Sequence, residues 1–177
     1  EDGSVFLSMA SIHSALGDTA SALPWHELCL EVWRAHAARS PGSSATASSM
    51  ATALNNVASC LFAQGKFAEA LKKQNEALQI RLRALGEAHP DVGTSYNDIG
   101  NTLRSQGKLV EALPYLEKAA GAYRRALGGN HPWVATSLNN IASCLQARWS
   151  WDEAGEAFQE AVEIFERVLG PGDPDVS

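Results

Sequence analysis

The segment Thr52-Ala-Leu-Asn-Asn-Val-Ala-Ser-Cys-Leu61 returns as Thr136-Ser-Leu-Asn-Asn-Ile-Ala-Ser-Cys-Leu145, identical at eight of ten positions. A third copy, Thr94-Ser-Tyr-Asn-Asp-Ile-Gly-Asn-Thr-Leu103, lies midway, so that successive copies are 42 residues apart. The register holds downstream through Ala70, Ala112 and Ala154, then Ala77, Ala119 and Ala161, then Leu85, Leu127 and Leu169. His89-Pro90 recurs as His131-Pro132 and, degraded, as Asp173-Pro174. A repeat of this length is one supersecondary unit that cannot bury its apolar face alone, so it dictates a stack of similar units.

Each unit reads as two helices. In the first, Leu54, Val57, Ala58 and Leu61 fall at the i, i+3, i+4, i+7 spacing of an apolar helix face. Gln64-Gly65 ends it, because glycine readily takes the left-handed conformation that stops a helix. The second runs from about Phe67 to Leu85 with the stripe Phe67, Ala70, Leu71, Ala77, Leu78 and Leu85, and Gly86-Glu-Ala-His-Pro90 breaks it. The recurring alanines are small where the two helices must cross closely.

A divergent copy precedes these, with Gly17 in the place of Gly65 and Ala22 in that of Ala70. The organisation expected is a single array: repeat 1 over 4–37, a longer loop of small residues over 38–47, repeats 2 to 4 over 48–90, 91–132 and 133–174, and the start of another unit at 175–177. Two departures stand out. Trp149 replaces the turn glycine of the last hairpin, which predicts a shifted helix end there, with Ser150 or Asp152 as cap. Trp151 matches Phe67 and Leu109 and is expected in the core.

Leu54-x-x-Val57-Ala58-x-x-Leu61 with Ala70 and Ala77, and Tyr96-x-x-Ile99-Gly100-x-x-Leu103 with Ala112 and Ala119, resemble the tetratricopeptide signature. The extra length and the connections Leu85-Gly86…His89-Pro90-Asp91-Val92 and Leu127-Gly128…His131-Pro132-Trp133-Val134 are similar to the repeat variety of kinesin light chains. The resemblance implies an all-α, right-handed solenoid of antiparallel hairpins, a superhelix whose first helices line a concave groove.

The face of each first helix left over from the core stripe is then the candidate peptide-binding surface. It comprises Thr52, Asn55, Asn56, Ser59 and Phe62 in repeat 2; Thr94, Asn97, Asp98, Asn101 and Arg104 in repeat 3; and Thr136, Asn139, Asn140, Ser143 and Gln146 in repeat 4. Repeat 1 offers Ser4, Leu7, Ser8, Ser11 and Ser14. Asparagine is a poor helix-interior residue, so its return at matched positions asks for a reason. Carboxamides that both donate and accept suit the main chain of an extended peptide, and the resemblance implies that role for Asn55, Asn56, Asn97, Asn139 and Asn140. The competing reading has one asparagine of each pair bonding to the neighbouring repeat and ordering the stack. Arg104, opposed by Asp98, is the main charge on this face, which disfavours a clamp for a terminal carboxylate.

The net charge of −6, with acidic and basic residues interspersed, argues against nucleic-acid binding and a polybasic membrane anchor. No apolar run approaches the roughly 20 residues that span a bilayer. Cys29, Cys60 and Cys144 form no CxxC pair and read as reduced thiols, hence a cytoplasmic protein. No phosphate-binding loop, HExxH or nucleophile elbow occurs, so the expectation is a non-enzymatic chain without cofactor or metal. His89 and His131 are expected to cap helices, and His13 and His26 to pack in the core. The opening Glu1 and the apolar Val162, Phe165 and Val168 on the last helix lead us to expect a segment of something longer, or end-on self-association. Three roles fit: a peptide-binding adaptor, an architectural or self-associating spacer, and a sensor array regulating an attached NTPase or enzyme domain.

Overall fold

The computed structural model describes residues 6, 8, 9, 12, 19–39 and 43–170. Seven helices run through the described residues: α1 (Thr19–Arg39), α2 (Ser44–Ala63), α3 (Phe67–Leu85), α4 (Pro90–Ser105), α5 (Leu109–Leu127), α6 (Pro132–Ala147) and α7 (Trp151–Leu169). No strand occurs among the described residues, and the fold is an all-α helical-repeat solenoid. The chain forms two compact units, Glu1–Leu85 and Gly86–Ser177.

In the first unit α1 packs on α2 and α2 on α3. Its core gathers Cys29, Leu30, Leu54, Val57 and Leu61 around the fully buried Ala70 and Ala77. In the second, α4 packs on α5, α5 on α6 and α6 on α7, and α4 also touches α6. Val92, Ile99, Leu116, Val134 and Ile164 fill that core, with Ala112, Ala119, Ala154 and Ala161 buried at the crossings. The stripe of Leu54, Val57, Ala58 and Leu61 thus faces inward where the spacing placed it, as do Ala70, Ala77 and Leu78 on α3, whereas Phe67, Leu71 and Leu85 of that second stripe are half-buried.

Three hairpin turns share one geometry. Gly65 N–H donates to Phe62 O and Lys66 N–H to Leu61 O, both at 2.9 Å; Gly107 and Lys108 repeat the pair at 2.9 and 3.0 Å. This is the glycine-dependent helix stop, with φ of 74° at Gly65 and 75° at Gly107. Trp149 adopts the same conformation, with φ of 65°, and the bonds Trp149 N to Gln146 O and Ser150 N to Leu145 O measure 3.0 and 3.1 Å. The expected shift of the helix end is therefore corrected: α6 stops at Ala147, in register with Ala63 and Ser105. Left-handed backbone costs a non-glycine residue about 1–2 kcal/mol. Undoing the turn would forfeit two backbone hydrogen bonds and displace the buried Ala154 and Ala161, so the strain is tolerated.

Neither residue expected to cap α7 does so in that way. Ser150 occupies the N-cap position without a side-chain hydrogen bond, and Asp152 lies within the first turn. Trp151, expected in the core, is 54% exposed, its indole set edge-on to Trp149 at 5.8 Å between ring centres. The 38–47 stretch is also corrected, because it is helical to Arg39 and again from Ser44. Ser43 caps α2 by accepting from Thr46 N–H at 3.3 Å, a role that its small polar side chain suits.

The histidine–proline connections act as read. His89 and His131 are the N-caps of α4 and α6; each Nδ1 accepts a backbone N–H two residues on, from Asp91 and from Trp133, both at 3.2 Å. Pro90 and Pro132 open the helices, where a missing N–H costs nothing. His26 is buried in the first unit, and desolvation lowers its pKa. His13 lies outside the described residues.

Candidate functional site

The candidate positions on α2 belong to the first unit. Thr52 and Ser59 are exposed, Asn55 and Asn56 half-buried, and Phe62 lies edge-on to Phe67 at 5.3 Å, an aromatic contact that ties α2 to α3. Thr52 Oγ1 donates to Ser48 O at 3.0 Å, so this hydroxyl is engaged within its own helix. Of the repeat 1 positions, Ser8 is exposed, and Ser4, Leu7, Ser11 and Ser14 lie outside the described residues.

In the second unit the remaining positions fall on α4 and α6. Asn140 Nδ2 donates to Asn97 Oδ1 at 2.9 Å, which joins the two helices across 43 residues of sequence. Both carboxamides are half-buried, so a lost partner costs more there than on the open surface. This pair orders the stack. Their neighbour Asn139 is exposed, and its carboxamide makes no hydrogen bond with a described residue. The Asn-Asn dipeptide thus divides into one residue turned to the adjoining repeat and one turned to solvent, because successive residues on a helix point about 100° apart.

The hydroxyls are largely spent on their own backbones. Thr136 donates to Pro132 O at 3.0 Å and Ser143 to Asn139 O at 2.9 Å. Thr94 donates to Pro90 O at 3.3 Å and accepts from Tyr123 O–H at 3.0 Å, a link from α5 that the sequence reading missed. Thr102, opposite the candidate face, likewise donates to Asp98 O at 2.8 Å. Asn101 and Arg104 are half-buried; the Asn101 Oδ1 and Arg104 Nε are shut from solvent with no hydrogen-bond partner among the described residues. Gln146 is exposed.

The three cysteines are buried and form no disulfide, and desolvation raises each thiol pKa. Cys144 Sγ also donates to Leu109 O at 3.3 Å, which fastens α6 to the start of α5. These are packing residues whose thiolate forms are suppressed. Among the described residues no group of three His, Cys, Asp or Glu side chains is placed to hold a metal, and no helix is long and apolar enough to cross a membrane.

Trp133 is half-exposed and rests against Tyr123 at 5.4 Å and the capping His131 at 5.3 Å between ring centres, so it covers the inter-repeat connection. Lys118 lies 5.6 Å over the Tyr96 ring, within cation–π range.

No curated protein sequence matches this chain. Among solved structures, BtubC (BKLC) from P. vanneervenii superposes with a TM-score of 0.82 at 20% identity, covering 97% of this chain and 66% of that one. Kinesin-light-chain-type, nearly identical TPR-like repeats from Podosopora anserina give 0.78 at 21% identity, with 97% and 79% covered. The apo form of RapI gives 0.82 at 14% identity, with 95% and 57% covered. The chain thus spans just under two thirds of BtubC and a little over half of RapI, and at these identities the likeness is one of fold. Tetratricopeptide repeat models match residues 49–125, 99–150 and 134–175. With those matches covering most of its length, the chain belongs to the tetratricopeptide repeat family.

Proposed function

We propose that this chain is a protein-interaction scaffold that holds an extended peptide by its main chain on the polar faces of its first helices. The observation carrying this reading is the division of labour at Asn139 and Asn140. Asn140 is spent on Asn97, whereas Asn139 stands exposed with donor and acceptor both available. A carboxamide in that state matches the N–H and C=O of one peptide unit in a single bidentate contact. The thrifty use of the surrounding hydroxyls supports the same idea, because groups already satisfied by their own helix need not be desolvated at a cost when a ligand arrives. The candidate positions carry one charge of each sign, Asp98 and Arg104, both half-buried, which favours recognition through the backbone over recognition of acidic side chains or a terminal carboxylate. Thr52, Ser59 and Phe62 on α2 supply a comparable exposed face in the first unit.

The test is selection of peptides from a random display library on the immobilised chain, followed by anisotropy titration of the enriched peptides. Asn139→Ala is expected to weaken them about tenfold, the equivalent of roughly 1.4 kcal/mol, and N-methylation of the contacted peptide amide to do the same. Failure of the library to enrich any peptide, or equal binding by Asn139→Ala, would refute the proposal.

A further inference from the structure

The turn between α6 and α7 carries a feature that the peptide-binding face does not use. Trp149 is 78% exposed and Trp151 54% exposed, and their rings meet edge to face at 5.8 Å. Water-exposed indoles of this size are unfavourable, and Trp149 also sits in left-handed backbone. Gly65 and Gly107 make the same turn without strain, and an added Cβ at either would meet nothing within 4 Å. Neither packing nor turn geometry therefore requires a tryptophan at position 149.

The charges that adjoin the indoles in sequence point to the kind of partner. Asp152 and Glu153, in the first turn of α7, are exposed and take no ion pair from a described residue. Acids here also complement the helix dipole, yet two full negative charges outweigh the roughly half-charge of a helix N-terminus. Further along the same helix Glu160 and Glu163 are each engaged by an arginine, Arg124 and Arg167. Arg148 is the one cation adjoining the pair in sequence, and it too is exposed without an ion pair among the described residues. A planar cation is the ligand that uses both features together. The indole faces carry the negative side of the ring quadrupole, and a guanidinium stacks on them while donating in a fork to a carboxylate.

We propose that this turn is a docking surface for an arginine-bearing segment of a partner protein, with a guanidinium against the Trp149–Trp151 pair and Asp152 and Glu153 as its counter-charges. The turn follows the end of α6, beyond Asn139 in the chain, and its ligand and variants differ from those that test the Asn139 face, so the two proposals fail independently.

The experiment titrates the chain with the acetylated, amidated peptide Gly-Arg-Gly-Arg-Gly-Arg and follows the indole N–H resonances by NMR, assigned with the single tryptophan variants. The resonances of Trp149 and Trp151 are expected to move together, those of Trp25, Trp33 and Trp133 to stay. The lysine version should bind several-fold more weakly, and the citrulline version, equal in shape without the charge, should not bind. Trp149→Gly retains the backbone preferred at the other two turns and so remains folded; it should lose at least tenfold in affinity. Asp152→Asn with Glu153→Gln should flatten the salt dependence. Binding of the citrulline peptide, undiminished binding by Trp149→Gly, or shifts of these two resonances with protein concentration alone, which would assign the surface to a second copy of the chain, would each overturn the proposal.

Discussion

Gly100, in the middle of α4, lies where the other repeats carry Ala58 and Ala142. Replacing it with alanine ought to help on helix propensity alone, by about 0.8–1.0 kcal/mol. The structure predicts the opposite. A Cβ at Gly100 would sit 2.6 Å from Leu116 Cδ2, 2.7 Å from Leu116 Cγ and 3.4 Å from the Ala112 carbonyl oxygen. Leu116 is fully buried, and its branch point is part of the overlap, so rotating the terminal methyl groups cannot relieve it. Overpacking of this kind costs about 1–3 kcal/mol, which leaves Gly100→Ala destabilising by about 1 kcal/mol net. In the sister repeats the residue matching Leu116 is Gln74 or Phe158, neither with a tetrahedral branch at Cγ, and there alanine is present.

Gly100 and Leu116 should be energetically coupled. Leu116→Ala alone should cost about 2–5 kcal/mol through the cavity it opens. In that background the colliding atoms are gone, and Gly100→Ala should become stabilising by roughly 1 kcal/mol through propensity. The double-mutant cycle should therefore show an interaction of about 2 kcal/mol. Hydrogen exchange at the α4 and α5 amides across a urea series reads this hairpin apart from the other unit, whose transition need not coincide. Additive effects, or a Gly100→Ala variant more stable than the parent, would refute the packing account.

Other outcomes follow from single contacts. Asn140→Ala should lower the stability of the second unit by about 1–2 kcal/mol, since it strands the half-buried Asn97 carboxamide, while Asn139→Ala should leave the urea midpoint unchanged. Gly107→Ala, which clashes with nothing but must hold φ near 75°, should cost about 1 kcal/mol, and Trp149→Gly should unfold no earlier than the parent in the same urea titration. His26 is held neutral by burial, its pKa below the ordinary 6.5. The unfolded chain gains a proton as pH falls through 6.5, and the folded chain resists it. Its contribution is thus complete above that pH and is lost below it, by at most about 1.4 kcal/mol per pH unit. Melting curves between pH 7 and 5 should show a steeper fall for the parent than for His26→Phe. Cys29, Cys60 and Cys144 should resist alkylation by iodoacetamide in the native state and react as their units unfold, Cys29 with Cys60 in the first and Cys144 in the second; rapid labelling of the folded protein, read by mass spectrometry, would contradict their assignment as packing residues.

Much of the architecture was legible because a repeat states its rules several times over. The stripe of Leu54, Val57, Ala58 and Leu61, the crossing alanines and the histidine–proline caps depend on local periodicity and local hydrogen bonding, and both are written in neighbouring residues. Trp149 shows where local rules stop. Propensity alone moves a helix end away from a tryptophan, whereas two backbone hydrogen bonds and the seating of Ala154 and Ala161 hold the turn in place. Trp151 shows the converse: repeat position assigned it to the core, yet its indole lies on the surface against Trp149.

The functional face divides along the same line. Sequence by itself determined that asparagines recur on the first helices, on a polar side opposite the apolar stripe, because the helical period fixes which residues share a face. Only the tertiary structure decided which of two adjacent carboxamides is spent. The choice depends on the distance from Asn140 to Asn97, 43 residues earlier, and that distance is set by how α6 seats on α4 and α5 rather than by anything either residue carries in its neighbours.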